Sequence, residues 1–133
     1  LGDLDGVERS LKKGGVCAII FECIQGVGGL DEAASEFYKA LEQLAKTYNV
    51  LLIADEVQSG FGRTGDFFAF QKHGIQPDLI TIAKGMGNGF PLGGVLIAPL
   101  GLYCRFKCVG SIGRREADAA CYRSFQLLYF RSK

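Results

Sequence analysis

LLIADEVQSGFGRTGDFFAFQKHGIQPDLITIAKGMGNGFPLGGVLIAP, residues 51 to 99, decides the fold. With Val50 in front it holds three apolar runs: Val50 to Ala54 ending in Asp55-Glu56, Leu79 to Ala83 ending at Lys84, and Gly94 to Ala98. Upstream, VCAIIF at Val16 to Phe21 is apolar without alternation, the pattern of a strand covered on both faces, as in a parallel sheet. Between the first two strands Phe37, Leu41, Leu44, Ala45 and Tyr48 recur at three and four, which predicts a helix with one face on a core. Asp31 or Ser35 can cap it, and Asn49 stops it. Residues 3 to 13 predict a short helix with Leu4, Val7 and Leu11 on one face, ended by Gly14-Gly15. Strand, helix, strand, connection, strand is an α/β pattern, in which ligands sit beyond the carboxyl ends of the strands. Glu22, Asp55 and Lys84 each stand at such an end.

The chain of 133 residues is long enough for one domain with its own core, and 48% hydrophobic residues suit a soluble globular protein. A formal net charge of +1 gives no reason to expect nucleic acid or an anionic membrane surface, and no apolar stretch is long enough to span a bilayer. Nothing near Leu1 resembles a secretory signal, so a cytoplasmic protein is expected, and the first residue reads as a cut and not a natural start. Five cysteines at 17, 23, 104, 108 and 121 are odd in number and irregular in spacing, which favours reduced thiols over a disulfide framework. Cys104 and Cys108 have a zinc-knuckle spacing, but no second pair follows and His73 is far upstream, so no metal site is expected. Charge divides the chain at Pro99. Residues 1–99 hold 8 Lys+Arg against 12 Asp+Glu, whereas 100–133 hold 7 against 2 and form a basic, cysteine-containing tail without strand alternation.

Lys84 at the end of an apolar strand needs a reason, because a buried unpaired ammonium is costly. Two readings stand: the side chain lies past the strand in solvent, or it serves a site. Gly85, Gly87 and Gly89 behind it leave backbone approachable and side-chain space empty, and Pro91 keeps a helix from starting. The glycine run is not a dinucleotide-binding loop, since the third glycine is misplaced and no helix opens behind it; Gly26-Val27-Gly28-Gly29 does not complete that fingerprint either. Asp55 leaves the sheet beside Lys84, with Glu56 turned to the other side by alternation. A turn-capping role for Asp55, and likewise for Glu22, is the plainer alternative.

These residues together resemble class III (ornithine-type) pyridoxal-phosphate (PLP) aminotransferases. The resemblance rests on Asp55-Glu56-Val57-Gln58, on Gly60, Gly62, Arg63 and Gly65, on Pro77-Asp78, and on Lys84-Gly85 with Gly89-Phe90-Pro91. ECIQGVGG at Glu22 to Gly29 is similar to the family's EPIQGEGG, and among subfamilies the phrasing is most similar to acetylornithine aminotransferases. The resemblance covers residues 1–99, which would form part of the PLP-binding large domain of fold type I, a mostly parallel sheet with flanking helices. It implies that Lys84 holds PLP covalently, that Asp55 pairs with the pyridinium nitrogen, that Val57 packs on the ring, that Gln58 bonds its phenolic oxygen and that Glu22 shapes the substrate side. It further implies an amino-acid donor such as N-acetylornithine, a keto-acid acceptor such as 2-oxoglutarate, and a homodimer.

Cys23 stands where the family usually has proline and Val27 where it usually has glutamate, changes on the substrate side that leave the cofactor contacts untouched. Family members are several times longer, and the upstream phosphate cup and the downstream Thr-Phe-Gly-Gly-Asn-like segment do not occur here, so the 133 residues alone are expected to be an inactive piece. Other class III ω-aminotransferases and alanine–glyoxylate enzymes are the neighbouring alternatives. A non-catalytic α/β interaction module using the basic tail, or a lysine Schiff-base lyase with Asp55 as acid/base, are the alternatives of another class.

Overall fold

A computed structural model describes residues 2–98 and the strand at 126–129; side chains are described for 2–98. Helix α1 (Leu4–Lys12) is capped by Asp3, whose Oδ1 accepts the Gly6 N–H at 2.8 Å, and it buries Val7 and Leu11. Gly14 and Gly15 follow with φ of +77° and +78°, a left-handed turn that glycine enters without a Cβ penalty. Strand β1 (Val16–Phe21) leads through a loop to α2 (Ser35–Thr47), and Asn49, at φ 52°, ends that helix before β2 (Leu51–Asp55). A 3-10 turn at Ala69–His73 precedes β3 (Leu79–Ala83), and β4 (Gly93–Ile97) returns antiparallel beside it. Strand β5 (Gln126–Tyr129) completes the sheet.

The strand order is β4-β3-β2-β1-β5, with every pair parallel except β3 and β4. The expected mostly parallel α/β architecture is therefore present. β5 corrects the reading of the tail as free of strands: QLLY runs parallel to β1, with Ile19 opposite Leu128 and Ile20 opposite Tyr129. Four residues with half-apolar character carry too short a pattern to be read as a strand; pairing with a preformed neighbour supplies the rest. Cys104, Cys108 and Cys121 lie outside the described residues, and among the described residues Cys17 and Cys23 form no disulfide.

The core lies on one face of the sheet. Ile19, Phe21, Leu52 and Ala54 meet Val7 and Leu11 of α1 and Tyr38, Leu41 and Ala45 of α2, all buried. The expected helix stripe is present, with Phe37, Leu44 and Tyr48 packed at its margins and Tyr38, absent from the predicted set, at its centre. Neither Asp31 nor Ser35 caps α2. Ala34 occupies the cap position without a side-chain bond, and the Ser35 hydroxyl is engaged with His73 Nδ1 at 3.0 Å. By strand alternation Leu51, Ile53 and Asp55 face away from the two helices. Asp78 sets the register that positions them: its Oδ2 accepts the Leu52 N–H at 2.9 Å and its own N–H donates to the Leu52 carbonyl at 2.8 Å, pinning β3 to β2.

Among the described residues no helix is long and apolar enough to cross a membrane, and no group of three His, Cys, Asp or Glu is placed to hold a metal.

Candidate active site

β2 and β3 end side by side, with Asp55 opposite Thr81 in register. Asp55 is half-buried, and its Oδ1 accepts two hydrogen bonds at 3.1 Å each, from the Val57 N–H and from the Thr81 hydroxyl. The first bond is the turn cap that the sequence allowed; the second comes from a residue that sequence reasoning did not single out. Among the described residues the other oxygen, Oδ2, makes no hydrogen bond. One acceptor is thus held rigidly while its twin stays free for a donor.

Glu56, one residue on, turns the opposite way, as alternation requires. It is 1% exposed; its Oε2 accepts the Ser59 hydroxyl at 2.6 Å and its Oε1 the Phe70 N–H at 3.0 Å. The carboxyl group therefore staples the turn carrying Val57 and Gln58 to the segment at Ala69–His73. Gly60 closes that turn: a Cβ there would lie 2.7 Å from the Glu56 carbonyl oxygen, so glycine is needed for the backbone approach.

Lys84 follows β3 directly, and its side chain is exposed, so it lies past the strand end. The Nζ nonetheless has a partner, donating to Gln58 Oε1. Gln58 in turn touches the loop after β1, where a Cβ on Gly26 would sit 3.1 Å from its Cγ. Glu22 Oε2 accepts the Gly26 N–H at 2.9 Å. Glu22 is thus bonded to Gly26, which lies beside Gln58, the partner of Lys84, and Asp55 is separately bonded to Val57; Thr81, three residues before Lys84, ties Asp55 to the strand that Lys84 follows.

A cleft of about 420 Å³ opens beside Lys84, with Phe61, Gly62 and Arg63 on one side and Lys84, Gly85, Asn88 and Gly89 on the other. Both titratable side chains in its wall, Arg63 and Lys84, are basic. Phe61, Lys84 and Asn88 hold φ values of 64°, 42° and 45°. A non-glycine residue in that region costs of order 1–3 kcal/mol and persists where the surroundings enforce it, typically at functional sites. Phe61 and Lys84 give no sequence signal for it, whereas asparagine, as at Asn88, enters that region more readily than most residues. The glycines divide in role. Gly85 and Gly89 line the cleft as expected, but Gly87 is required by the turn itself, since a Cβ there would collide with the Phe90 carbonyl.

The donor set suits pyridoxal phosphate. Asp55 Oδ2, without a hydrogen bond among the described residues, would suit a protonated ring nitrogen; Lys84 would offer an accessible primary amine to the aldehyde, and Gln58, beside that amine, a polar neighbour to the phenolic oxygen.

The class-III aminotransferase family model matches residues 3–108. The chain belongs to the class-III aminotransferases. A relative from Aquifex aeolicus, named acetylornithine aminotransferase, is 47% identical over 96 residues, covering 72% of this chain and 25% of its own. Among solved structures, N-acetylornithine aminotransferase from Stenotrophomonas maltophilia superimposes with a TM-score of 0.71 at 40% identity, over 74% of this chain and 27% of that one. Ornithine delta-aminotransferase from Plasmodium falciparum gives the same TM-score at 34% identity, over 80% of this chain and 28% of its own. This class-III chain thus spans about a quarter of the length of the curated relatives it matches.

Proposed function

We propose that the protein carrying this sequence transfers an amino group from an amino-acid donor of the N-acetylornithine type to a keto acid such as 2-oxoglutarate, with pyridoxal phosphate as cofactor. The observation that carries this reading is the Asp55 carboxyl, fixed through one oxygen by Thr81 and Val57 and free through the other, at the end of the strand adjacent to the one that ends in Lys84. Bound there, pyridoxal phosphate would supply an electron sink for the charge left when the substrate carbon loses a proton.

Asp55 would keep the ring nitrogen of a bound cofactor protonated. A unit charge pair at ~4 Å in an effective dielectric near 20 is worth about 4 kcal/mol, or about three pKa units. Lys84 Nζ would hold the cofactor, and as a free amine it would be the base that moves the proton of the substrate carbon. Gln58 Oε1 accepts from that Nζ and keeps it aimed. Val57 covers the ring, and Glu22 borders the donor. Amino-acid donor, keto-acid acceptor and a second copy of the chain are the partners this reading includes; the 133 residues alone are expected to be inactive.

The test is to supply the protein with pyridoxal phosphate, reduce with borohydride and map the peptides. The pyridoxyl label belongs on Lys84, and Lys84→Ala should lose both the label and transfer from N-acetylornithine, ornithine, alanine or β-alanine to 2-oxoglutarate. A stoichiometric label on another lysine rules the assignment out.

A further inference from the structure

The loop between β1 and α2 carries Glu22 and Gly26 to Gln58, yet two glycines at its tip, Gly28 and Gly29, give it little intrinsic stiffness. Its order comes from its base. The Tyr38 hydroxyl, on α2, donates to the Cys23 carbonyl at 2.7 Å and accepts the Ala33 N–H at 3.1 Å, one bond at each end of the loop. Between them Ile24 bridges to Glu32, the Gln25 N–H donates to the Asp31 carbonyl at 3.1 Å, and the Leu30 N–H to the Gln25 carbonyl at 3.0 Å. Outside, Lys72 Nζ grips both Glu32 oxygens at 2.8 and 2.9 Å, an exposed pair of small weight.

We infer that Tyr38 is a positioning residue for the amino-donor side of the site: its hydroxyl closes loop 23–33 at both ends and thereby holds Gly26, to which the Glu22 carboxylate is bonded, beside Gln58. The inference rests on the roles given to Glu22 and Gln58 under the proposed function. The Tyr38 ring itself is fixed in the core, 1% exposed, 5.7 Å from the Phe21 ring, 5.4 Å from Phe37 and 4.2 Å from His73, so the hydroxyl is delivered from a rigid base. Burial pushes the hydroxyl up to about 12, so it keeps the proton it donates to Cys23 at neutral pH. A buried hydroxyl with both its donor and an acceptor site in use is a fully satisfied group, and removing it strands a carbonyl and an N–H at the two ends of one loop. A core-only role would need the ring and not the oxygen.

The experiment compares Tyr38→Phe with Leu41→Ala, a cavity in the same core that removes neither of the two bonds at the ends of the loop. Tyr38→Phe should raise KM for the amino donor about tenfold, the factor that one or two neutral hydrogen bonds carry, with kcat and borohydride labelling of Lys84 little changed. Amide hydrogen exchange of residues 24–32 should accelerate by at least about tenfold while that of β2 stays slow. Leu41→Ala should lower the unfolding midpoint more and leave KM and loop exchange in place. Unchanged loop exchange in Tyr38→Phe, or equal loop loosening in Leu41→Ala, overturns the inference. Should the unsubstituted protein show no transfer, the proposed function fails, and the exchange comparison still decides whether Tyr38 clasps the loop.

Discussion

Asp55 and Glu56 are neighbours with opposite assignments, and exchanging their burdens is the most direct trial of the reasoning. Glu56→Leu keeps bulk but deletes two acceptors. The Ser59 hydroxyl, 2.6 Å away and buried, and the Phe70 N–H, 3.0 Å away, are both left without their partner. Each stranded donor costs about 1–3 kcal/mol, so the loss is about 2–6 kcal/mol before the gain of about 2 kcal/mol from burying an apolar side chain, and about 0–4 kcal/mol after it. Against a total stability of about 5–15 kcal/mol the upper end of that range is a large fraction. Asp55→Ala also deletes two bonds, to the Val57 N–H and the Thr81 hydroxyl, but at a half-exposed position where water replaces them, so about 1 kcal/mol is expected. Turnover should run the other way: under the proposed function Asp55→Ala would forfeit about 4 kcal/mol, roughly a thousandfold, whereas Glu56→Leu should stay within about tenfold per folded molecule. Urea unfolding followed by far-UV circular dichroism gives the first quantity, and amino transfer normalised to folded protein gives the second. Equal stability losses, or equal turnover losses, would refute the division of labour between the two carboxyl groups.

The glycines behind Lys84 offer a second contrast. Gly87→Ala drives a Cβ into the Phe90 carbonyl and must open the turn closed by the Phe90 N–H to the Gly87 carbonyl at 2.9 Å, so a destabilisation of about 1–3 kcal/mol and weaker labelling of Lys84 are expected. Gly85→Ala meets Phe61 Cβ at an ordinary 3.4 Å and should be mild; the reverse order in thermal scans would contradict the turn argument. Acid sensitivity should trace in part to His73. It is 2% exposed, its Nε2 lies 3.3 Å from Glu32 Oε1 but is misaligned for a hydrogen bond, and burial holds it below the ordinary value of 6.5, helped by Lys72 and opposed by Glu32 and Glu56. The unfolded chain therefore takes up this proton first as pH falls, so the stability is present above 6.5 and declines below it. His73→Gln should flatten that slope between pH 6.5 and the lower folded value, and an unaltered slope in urea titrations would remove His73 from the account.

What the sequence by itself determined was the local partition of side chains. Uninterrupted apolar runs announced β1 to β4, the three-and-four spacing announced α2, and the strand ends marked Glu22, Asp55 and Lys84, because burial on both faces leaves its pattern residue by residue in the chain. Alternation alone already separated Asp55 from Glu56. Only the tertiary structure decided what depends on register and on distant pairing. The Thr81 bond to Asp55 spans 26 residues and exists because Asp78 locks β3 against β2. The left-handed backbone of Phe61 and Lys84 is imposed by their surroundings and contradicts their own preferences, whereas Asn88 is of a type that enters that region readily. β5 acquires its role by lying beside β1, and Tyr38 by lying under a loop whose two ends, Cys23 and Ala33, are neighbours in space and not in sequence. Such contacts are settled by chain closure over long separations, for which a one-dimensional pattern carries no local trace.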